Sequence, residues 1–208
     1  MTHHPHIPAP SDPGAAFKTP DLVVPSPGAI HLGSEISEEQ ARQFAENQQR
    51  LNLIRELGLP TEPHRLMDDF ADYLAHQTGM AYGFVNLFLD AQTFVGLHNP
   101  DPELGYLPVG RTMAFEHGFC PEVVARKKAL PIREVFAFPR YAGNHVVNAL
   151  GVRSYFGAPL IHESGVVLGT VCTIDPEPRP LSDARRLLET VKATGTDVLR
   201  ALPSVSVR

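Results

Sequence analysis

The chain has 208 residues, of which 43% are hydrophobic, and its 18 basic and 23 acidic residues give a formal net charge of −5. This length fits one domain with an extension, and the apolar fraction is sufficient for a packed core. The negative net charge indicates no phosphate-binding face, so we expect no nucleic-acid partner. The two cysteines, Cys120 and Cys172, are too few for a disulfide framework.

Proline dominates the start of the chain. Residues 1–34 contain seven prolines and no periodic apolar pattern. Such a segment buries too little surface to offset its ordering entropy, so we predict a disordered tail. No apolar signal-peptide core follows Met1, and the longest apolar stretch, 165–172, is far shorter than the ~20 residues of a membrane span. We therefore expect a cytoplasmic protein with no membrane contact.

A first helix is predicted within residues 35–60. Ser37 and Gln40 match a capping box, and Gly58 and Pro60 end the helical pattern. Its apolar residues form a narrow stripe, which suits pairing with another helix better than burial in a core; they are Phe44, Leu51, Ile54 and Leu57. This pattern predicts a helix that pairs with another helix, either in a homodimer or by packing onto its own domain.

Two further helices are predicted. The second spans Thr61–Gln77, with adjacent Asp68 and Asp69 in solvent and one inward face: Leu66, Phe70, Tyr73, Leu74 and Gln77. Ser182 is predicted to cap the last helix, which ends before Pro203. Its inward face comprises Leu187, Leu188, Val191, Val198, Leu199 and Leu202.

The predicted strands lie between these helices. An apolar run over 81–90 suits a central strand, and shorter strands follow at 93–97 and 130–135. Two β-rich runs, 152–162 and 166–174, flank a turn that ends at Gly165, which predicts an antiparallel hairpin. Strands grouped between segregated helices indicate an α+β fold with an antiparallel sheet.

Special residues mark the hairpin. Pro159 cannot donate to the ladder, so we expect a bulge or an unpaired position there. Gly157 and Gly169 are predicted to leave room for another backbone or a ligand.

Motifs in the hairpin and upstream of it resemble the GAF domain family, a relative of the PAS fold common in bacterial signalling proteins. They are RSYFGAPLI, GVVLGTVCTID, EHGFCPEVV and FPRYAGNHVV, and the resemblance covers roughly residues 64–201. It implies a six-stranded antiparallel sheet, terminal helices on one face, and a pocket covered by loops and a short helix on the other. The GAF domain would span 61–203, followed by a tail at 204–208. Glu134 and His145 depart from the family pattern, which usually has Asp and Pro there.

The pocket residues are expected in two loops, 111–120 and 136–148, that close over the sheet. Their aromatic, amide and imidazole groups suit a partly apolar small ligand; the candidates are His117, Cys120, Tyr141, Asn144 and His145, with Tyr155 and Thr173 from the strands. The sequence does not name the ligand, and we predict no obligatory cofactor. The alternative is that loop and sheet form a plain core, with His117 and Asn144 satisfying loop backbone.

Two other functions stay open. His117 and Cys120 lie at a helix start, whose N-terminus lowers a thiol pKa, so Cys120 would suit a redox sensor. Joined by His145 or Cys172, they would suit a metal or haem site. The alternative is that both cysteines are buried, inert thiols. The stand-alone GAF enzymes that reduce free methionine sulfoxide have a cysteine cluster before the hairpin that this sequence lacks. We therefore predict a non-enzymatic module that signals through helices 37–57 and 182–202, by rearranging a homodimer or contacting a partner protein.

Overall fold

The computed structural model describes residues 37–205. The predicted tail over residues 1–34 lies outside the described residues. The helices are α1 (Glu38–Glu56), α2 (Arg65–Thr78), α3 (Cys120–Arg126), α4 (Pro139–Ala142), α5 (His145–Leu150) and α6 (Leu181–Ala201). The strands are β1 (Tyr82–Phe88), β2 (Gln92–His98), β3 (Thr112–Met113), β4 (Leu130–Ile132), β5 (Ser154–Ile161) and β6 (Val167–Asp175). Short 3-10 helices lie at Pro102–Leu104, Val135–Ala137 and Leu202–Ser204.

The six strands form one antiparallel sheet in the order β3-β2-β1-β6-β5-β4, which confirms the predicted α+β fold. The β5–β6 hairpin turns at Gly165, whose φ of 84° needs the conformational freedom of glycine. Pro159 keeps its place opposite Thr170, and the irregularity expected there falls between Leu160 and Ile161. The hairpin is therefore regular through the centre of the sheet.

One face of the sheet carries α2 and α6, and we call it the helix face. Apolar side chains of both helices, including Leu74 and Leu187, pack with Val85 and Val171 of the central strands. Here α2 approaches the backbone closely: a Cβ at Gly83 would collide with the carbonyl oxygen of Ala71. The close contact requires small residues on both elements, and it fixes α2 to the sheet.

The predictions for α2 were partly wrong. The helix begins at Arg65 rather than Thr61, because Pro63 disfavours helical backbone before it and His64 is the N-cap, its Nδ1 accepting from the Leu66 amide at 3.2 Å. The inward residues are Met67, Ala71, Leu74, Ala75 and Thr78, while the predicted Tyr73 is 52% exposed. Of the predicted face, Leu74 is buried and Leu66 and Phe70 are partly buried against the same core, whereas Tyr73 and Gln77 are exposed. The small residues Ala71 and Ala75 were missed because they add little to a pattern of large apolar residues.

Asp68 and Asp69 were predicted to be solvated; Asp69 is exposed, whereas the Asp68 side chain is only 31% exposed and is hydrogen-bonded. Its carboxylate accepts from the Leu97 amide at 2.8 Å and from Arg111 Nη1 at 2.7 Å. The side chain therefore ties α2 to β2 and to the strand that follows.

The last helix has the predicted inward face over Leu187, Val191 and Val198. Gly195 lies on the same face, where the helix packs closely against Val171 of the sheet. Its N-cap is Pro180, not Ser182, which lies in the first turn and donates to Asp183. Within residues 37–205, no helix is long and apolar enough to cross a membrane.

The first helix has the predicted capping box at Ser37 and Gln40. Only Ile54 of its apolar stripe is buried, and Phe44 is 66% exposed. A buried Arg50 instead holds the helix: its Nε donates to the Val167 carbonyl at 2.6 Å, and its guanidinium lies 5.6 Å from the centre of the Phe88 ring. The C-terminal half of α1 is thus anchored to the domain, and its first turns are exposed.

Candidate functional site

The other face of the sheet is covered by α3, α4, α5 and the loop before α3, which together we call the cover. Beneath it lie the aromatic side chains of Phe84, Phe94 and Tyr155 from the sheet, and Phe119 and Tyr141 from the cover. The Phe119 ring contacts Tyr141 edge-on, with ring centres 5.5 Å apart, and Tyr155 at 5.2 Å. These contacts make the cover part of a second apolar core.

Both cysteines meet at the centre of this core. Cys120 is the first residue of α3 and Cys172 lies on β6, yet their sulfur atoms are 3.5 Å apart. Both side chains are buried, at 5% and 3% exposure. Cys120 and Cys172 are 52 positions apart, so their sequence positions suggested proximity only as part of a metal or haem site.

Polar groups surround Cys120. Its Sγ lies 3.5 Å from the Tyr155 hydroxyl, and the Thr170 and Asn86 side chains, which make no regular hydrogen bond to it, still lower its pKa by favouring the thiolate. Hydrogen bonding from Cys172 comes first among the effects that lower the Cys120 pKa to about 7, against desolvation that raises it. Burial raises the Cys172 pKa well above its usual value. Cys120 is therefore the more acidic of the two thiols.

Asn86 and Thr170 are buried side by side on β1 and β6, and each has a polar atom with no hydrogen-bond partner. These atoms are Asn86 Oδ1 and Thr170 Oγ1, in residues with 0% exposure. The Asn86 amide nitrogen does donate to Gln92 Oε1, at 3.2 Å. A buried polar atom without a partner costs about 1–3 kcal/mol. The sheet therefore keeps two unfavourable polar positions next to the thiols.

Gly157 explains how the Tyr155 hydroxyl reaches this position. The two residues lie on the same side of β5, and a Cβ at Gly157 would collide with the Tyr155 hydroxyl oxygen. Glycine was predicted to leave room for a ligand here, and the room is occupied by Tyr155. The prediction also allowed for another backbone, and at Gly169 the close neighbour is the backbone of Asn86.

Little empty space is left under the cover. A cavity of about 30 Å³ lies between the cover and the sheet, bordered by both cysteines, Gln92, Phe84 and Phe119. One water molecule needs at least about 10–15 Å³ of such volume. The closed structure has room for a molecule of that size and none for an amino acid or nucleotide.

Hydrogen bonds made by Asn144 and Gln92, which we call the latch, join parts of the cover to one another and to the sheet. Asn144 accepts from the Gly118 amide at 3.0 Å and donates to the Gly118 carbonyl at 2.7 Å. Gln92 donates from β2 to the carbonyls of Ala114 and His117, at 2.7 and 2.8 Å. Asn144 therefore hydrogen-bonds to loop backbone, as expected if loop and sheet form a plain core. Gln92 also accepts a hydrogen bond from Asn86, which connects the latch to β1.

The remaining cover residues lie further from the thiols. The rings of His117 and His145 stack with centres 4.4 Å apart. The Tyr141 hydroxyl donates to Glu122 Oε2 at 2.9 Å. No cluster of three or more histidine, cysteine or acidic residues within residues 37–205 is arranged to hold a metal ion. His117 thus pairs with His145 rather than with Cys120.

Thr173 is the one predicted residue that the structure places elsewhere. Side chains alternate along β6, so Cys172 faces the cover and Thr173 faces the helices, where its hydroxyl donates to the Tyr82 carbonyl at 2.5 Å. Thr170 and Asn86 take its place near the thiols. Asn86 could have been found in the sequence, as the polar residue inside the apolar run YGFVNLF.

The GAF domain model matches residues 62–194, and the chain belongs to the GAF domain family. No protein in a search of curated sequences matches the chain.

Solved structures with a similar fold include GAF domains and enzymes. A free methionine-R-sulfoxide reductase from Neisseria meningitidis is 17% identical over 83% of this chain and 97% of its own, with a TM-score of 0.48. The GAF domain of an Acinetobacter phosphoenolpyruvate-protein phosphotransferase is 15% identical over 79% and 96%, with a TM-score of 0.48. The PixJ GAF domain from Thermosynechococcus elongatus is 15% identical over 76% and 89%, with a TM-score of 0.49. None of these likenesses bears on the ligand or activity of this chain.

Proposed function

We propose that this GAF domain is a regulatory module that binds a small polar molecule beneath the cover and transmits its binding through α1. The observation that carries the proposal is the pair of buried, unpaired polar atoms, Asn86 Oδ1 and Thr170 Oγ1. Native proteins pair nearly all buried polar groups, so exceptions point to a missing partner. A ligand that hydrogen-bonds to both residues would supply it.

Binding of a metabolite requires the cover to open, because the cavity of about 30 Å³ is too small. The latch favours such opening. Its hydrogen bonds between Asn144 and Gly118 are only partly buried, so water can replace them at low cost. The ligand then stabilises the open state by its higher affinity for it. The described structure is the closed state of this equilibrium.

Movement of the cover reaches α1 through two contacts. Lys127, directly after α3, lies 3.5 Å from Glu46 of α1. Arg50 of α1 binds the Val167 carbonyl at the start of β6. The helix therefore contacts both elements that bear the cysteines. We propose that its exposed first turns, with Phe44, then rearrange in a homodimer or against a partner protein.

A pair of matched variants tests the proposal. Protein purified without denaturation is analysed by native mass spectrometry, and its melting is followed across a panel of small polar metabolites. A ligand at a hundredfold excess over its dissociation constant should stabilise the protein by about 2.7 kcal/mol. Thr170→Val removes the unpaired hydroxyl and should abolish this stabilisation. Thr173→Val, on the same strand but facing α2 and α6, should retain it.

Two results would contradict the proposal. One is a flat melting response across the panel together with no bound molecule in the native mass spectrum. The other is a ligand whose stabilisation survives Thr170→Val unchanged, since it must then bind at another place.

A further inference from the structure

We propose that Cys120 and Cys172 form a redox-active dithiol that hydrogen peroxide oxidises to an intramolecular disulfide. The inference stands independently of the proposed ligand. It rests on the distance between the sulfur atoms, on the polar groups around Cys120 and on the size of the cavity.

The geometry places the thiols within reach of one another. Their sulfur atoms are 3.5 Å apart, and a disulfide bond is about 2.05 Å long. Closure therefore brings the two sulfur atoms about 1.5 Å closer, by side-chain rotation together with any shift of α3 against β6. A seven-residue helix at the edge of a cover can move that far more readily than a strand at the centre of the sheet.

The surroundings give the two thiols different roles. The Tyr155 hydroxyl and the Cys172 thiol both lie 3.5 Å from Cys120 Sγ and stabilise its thiolate. The same environment lowers the pKa of Cys120 and raises that of Cys172. Cys120 is thus the attacking sulfur, and Cys172 retains its proton until the second step.

The cavity selects the oxidant. It borders both sulfurs and has a volume of about 30 Å³, which admits a molecule slightly larger than water. Hydrogen peroxide meets this limit, whereas methionine sulfoxide and branched organic hydroperoxides exceed it. The closed structure therefore excludes the bulkier oxidants without any conformational change.

The reaction balances in two steps. The Cys120 thiolate attacks one peroxide oxygen, an S–O bond forms as the O–O bond breaks, and the leaving hydroxide takes up the proton that Cys120 lost. The Cys172 sulfur then attacks the sulfenic acid sulfur, the S–S bond forms, and the departing hydroxide takes the Cys172 proton. Two thiols and one hydrogen peroxide give one disulfide and two waters.

The experiment treats the reduced full-length chain with hydrogen peroxide under native conditions. Intact mass should show the loss of two hydrogen atoms per chain, and peptide mapping without reductant should find Cys120 linked to Cys172. The rate should rise about tenfold between pH 6 and pH 8 and level off there, because the thiolate fraction follows a Cys120 pKa of about 7. An ordinary cysteine, with a pKa of about 8.5, would keep accelerating above pH 8.

Variants separate the two steps. Cys172→Ser keeps a hydrogen-bond donor beside Cys120 and should stop at a sulfenic acid on Cys120, which intact mass detects as one added oxygen and which dimedone labels once the oxidised protein is unfolded in urea. Cys120→Ser should leave Cys172 unoxidised. Tyr155→Phe should slow the first step several-fold while the disulfide still forms.

Two controls test whether oxidation occurs in the closed structure. The rate of cysteine modification is measured in the native protein with three reagents: hydrogen peroxide, tert-butyl hydroperoxide and a bulky maleimide. Each rate is divided by the rate of the same reagent with the urea-unfolded chain. The ratio should be at least tenfold higher for hydrogen peroxide than for the two larger reagents. Equal ratios would show that only opened molecules react, and would overturn the proposal. So would oxidation by methionine sulfoxide at a comparable ratio, or peroxide treatment that yields no Cys120–Cys172 link.

Discussion

The two faces of the sheet differ in how closely they are packed and in how completely their buried polar groups are hydrogen-bonded. On the helix face α2 lies directly against the backbone at Gly83, and the buried Thr173 hydroxyl is hydrogen-bonded. On the cover face Asn86 and Thr170 have unpaired polar atoms, and a cavity lies beside the thiols. The same strands form both faces, so the difference comes from side chains that alternate along them. Both faces bury an apolar core, but only the cover face keeps Asn86 Oδ1 and Thr170 Oγ1 buried without a hydrogen-bond partner.

The largest expected difference between the faces comes from removing buried apolar groups. Leu74→Ala on the helix face should lower the free energy of unfolding by about 3 kcal/mol, because the close contact of α2 with the sheet prevents the cavity from collapsing. Val146→Ala on α5 should cost about 1 kcal/mol, since fewer methyl groups are lost and the cover can adjust. Urea unfolding monitored by circular dichroism measures the free energy of unfolding of both variants. Equal losses in the two would contradict a difference in packing between the faces.

The next largest effect concerns the anchor of α1. Arg50→Met keeps the apolar stem and removes the buried hydrogen bond to Val167, which should cost about 2 kcal/mol. Hydrogen exchange should accelerate in α1 and stay unchanged in α2. Arg42→Met on the exposed side of the same helix removes only a surface ion pair with Glu39 and should cost under about 0.5 kcal/mol. Similar losses in both variants would argue against the anchor.

A smaller effect is expected at the latch. Asn144→Ala removes both hydrogen bonds to Gly118 and the N-cap of α5, which should cost about 1–2 kcal/mol. Exchange should accelerate in residues 114–120 and 139–150 and remain slow in α6. Asn148→Ala, at an exposed position of α5, is the matched control and should change neither quantity. Uniform acceleration across the domain would mean that the cover does not open separately.

The smallest effect depends on pH. Hydrogen bonding from Arg153 lowers the pKa of Glu134, so the ionised Glu134 stabilises the folded state above the ordinary glutamate pKa. This contribution is lost as pH falls through the lowered folded-state pKa. Both side chains are partly exposed, so the loss should be small and should shrink in high salt. Thermal melting of the wild type and Glu134→Gln between pH 6 and pH 3 should converge at the acidic end.

The sequence predicted the fold well because the hairpin motifs and the helix caps are local signals. Gly165 and the Ser37 capping box lie where their patterns placed them, whereas Ser182 does not cap the last helix. The sequence identified Leu74 on the inward face of α2 but missed Ala71 and Ala75, because close packing on Gly83 favours small residues that carry little hydrophobic signal.

The site was predicted less completely. Cys120 and Asn144 from the loops and Tyr155 from β5 lie on the cover face, as their positions in the predicted elements indicated, and their role in binding stays a prediction. The register of β6 decides whether Thr170 or Thr173 faces the thiols, and a shift of one residue reverses the answer. The approach of Cys120 to Cys172 is likewise a tertiary contact, which no local pattern contains.

The most direct test of the two-face account compares the matched threonines of β6 in the absence of any ligand. Thr170→Val replaces an unpaired buried hydroxyl with a methyl group and should leave the free energy of unfolding unchanged or raise it by up to about 1 kcal/mol. Thr173→Val breaks the hydrogen bond to Tyr82 and should lower it by about 1 kcal/mol. If Thr170→Val destabilises the protein as much as Thr173→Val does, the cover face is an ordinary core and the account is wrong.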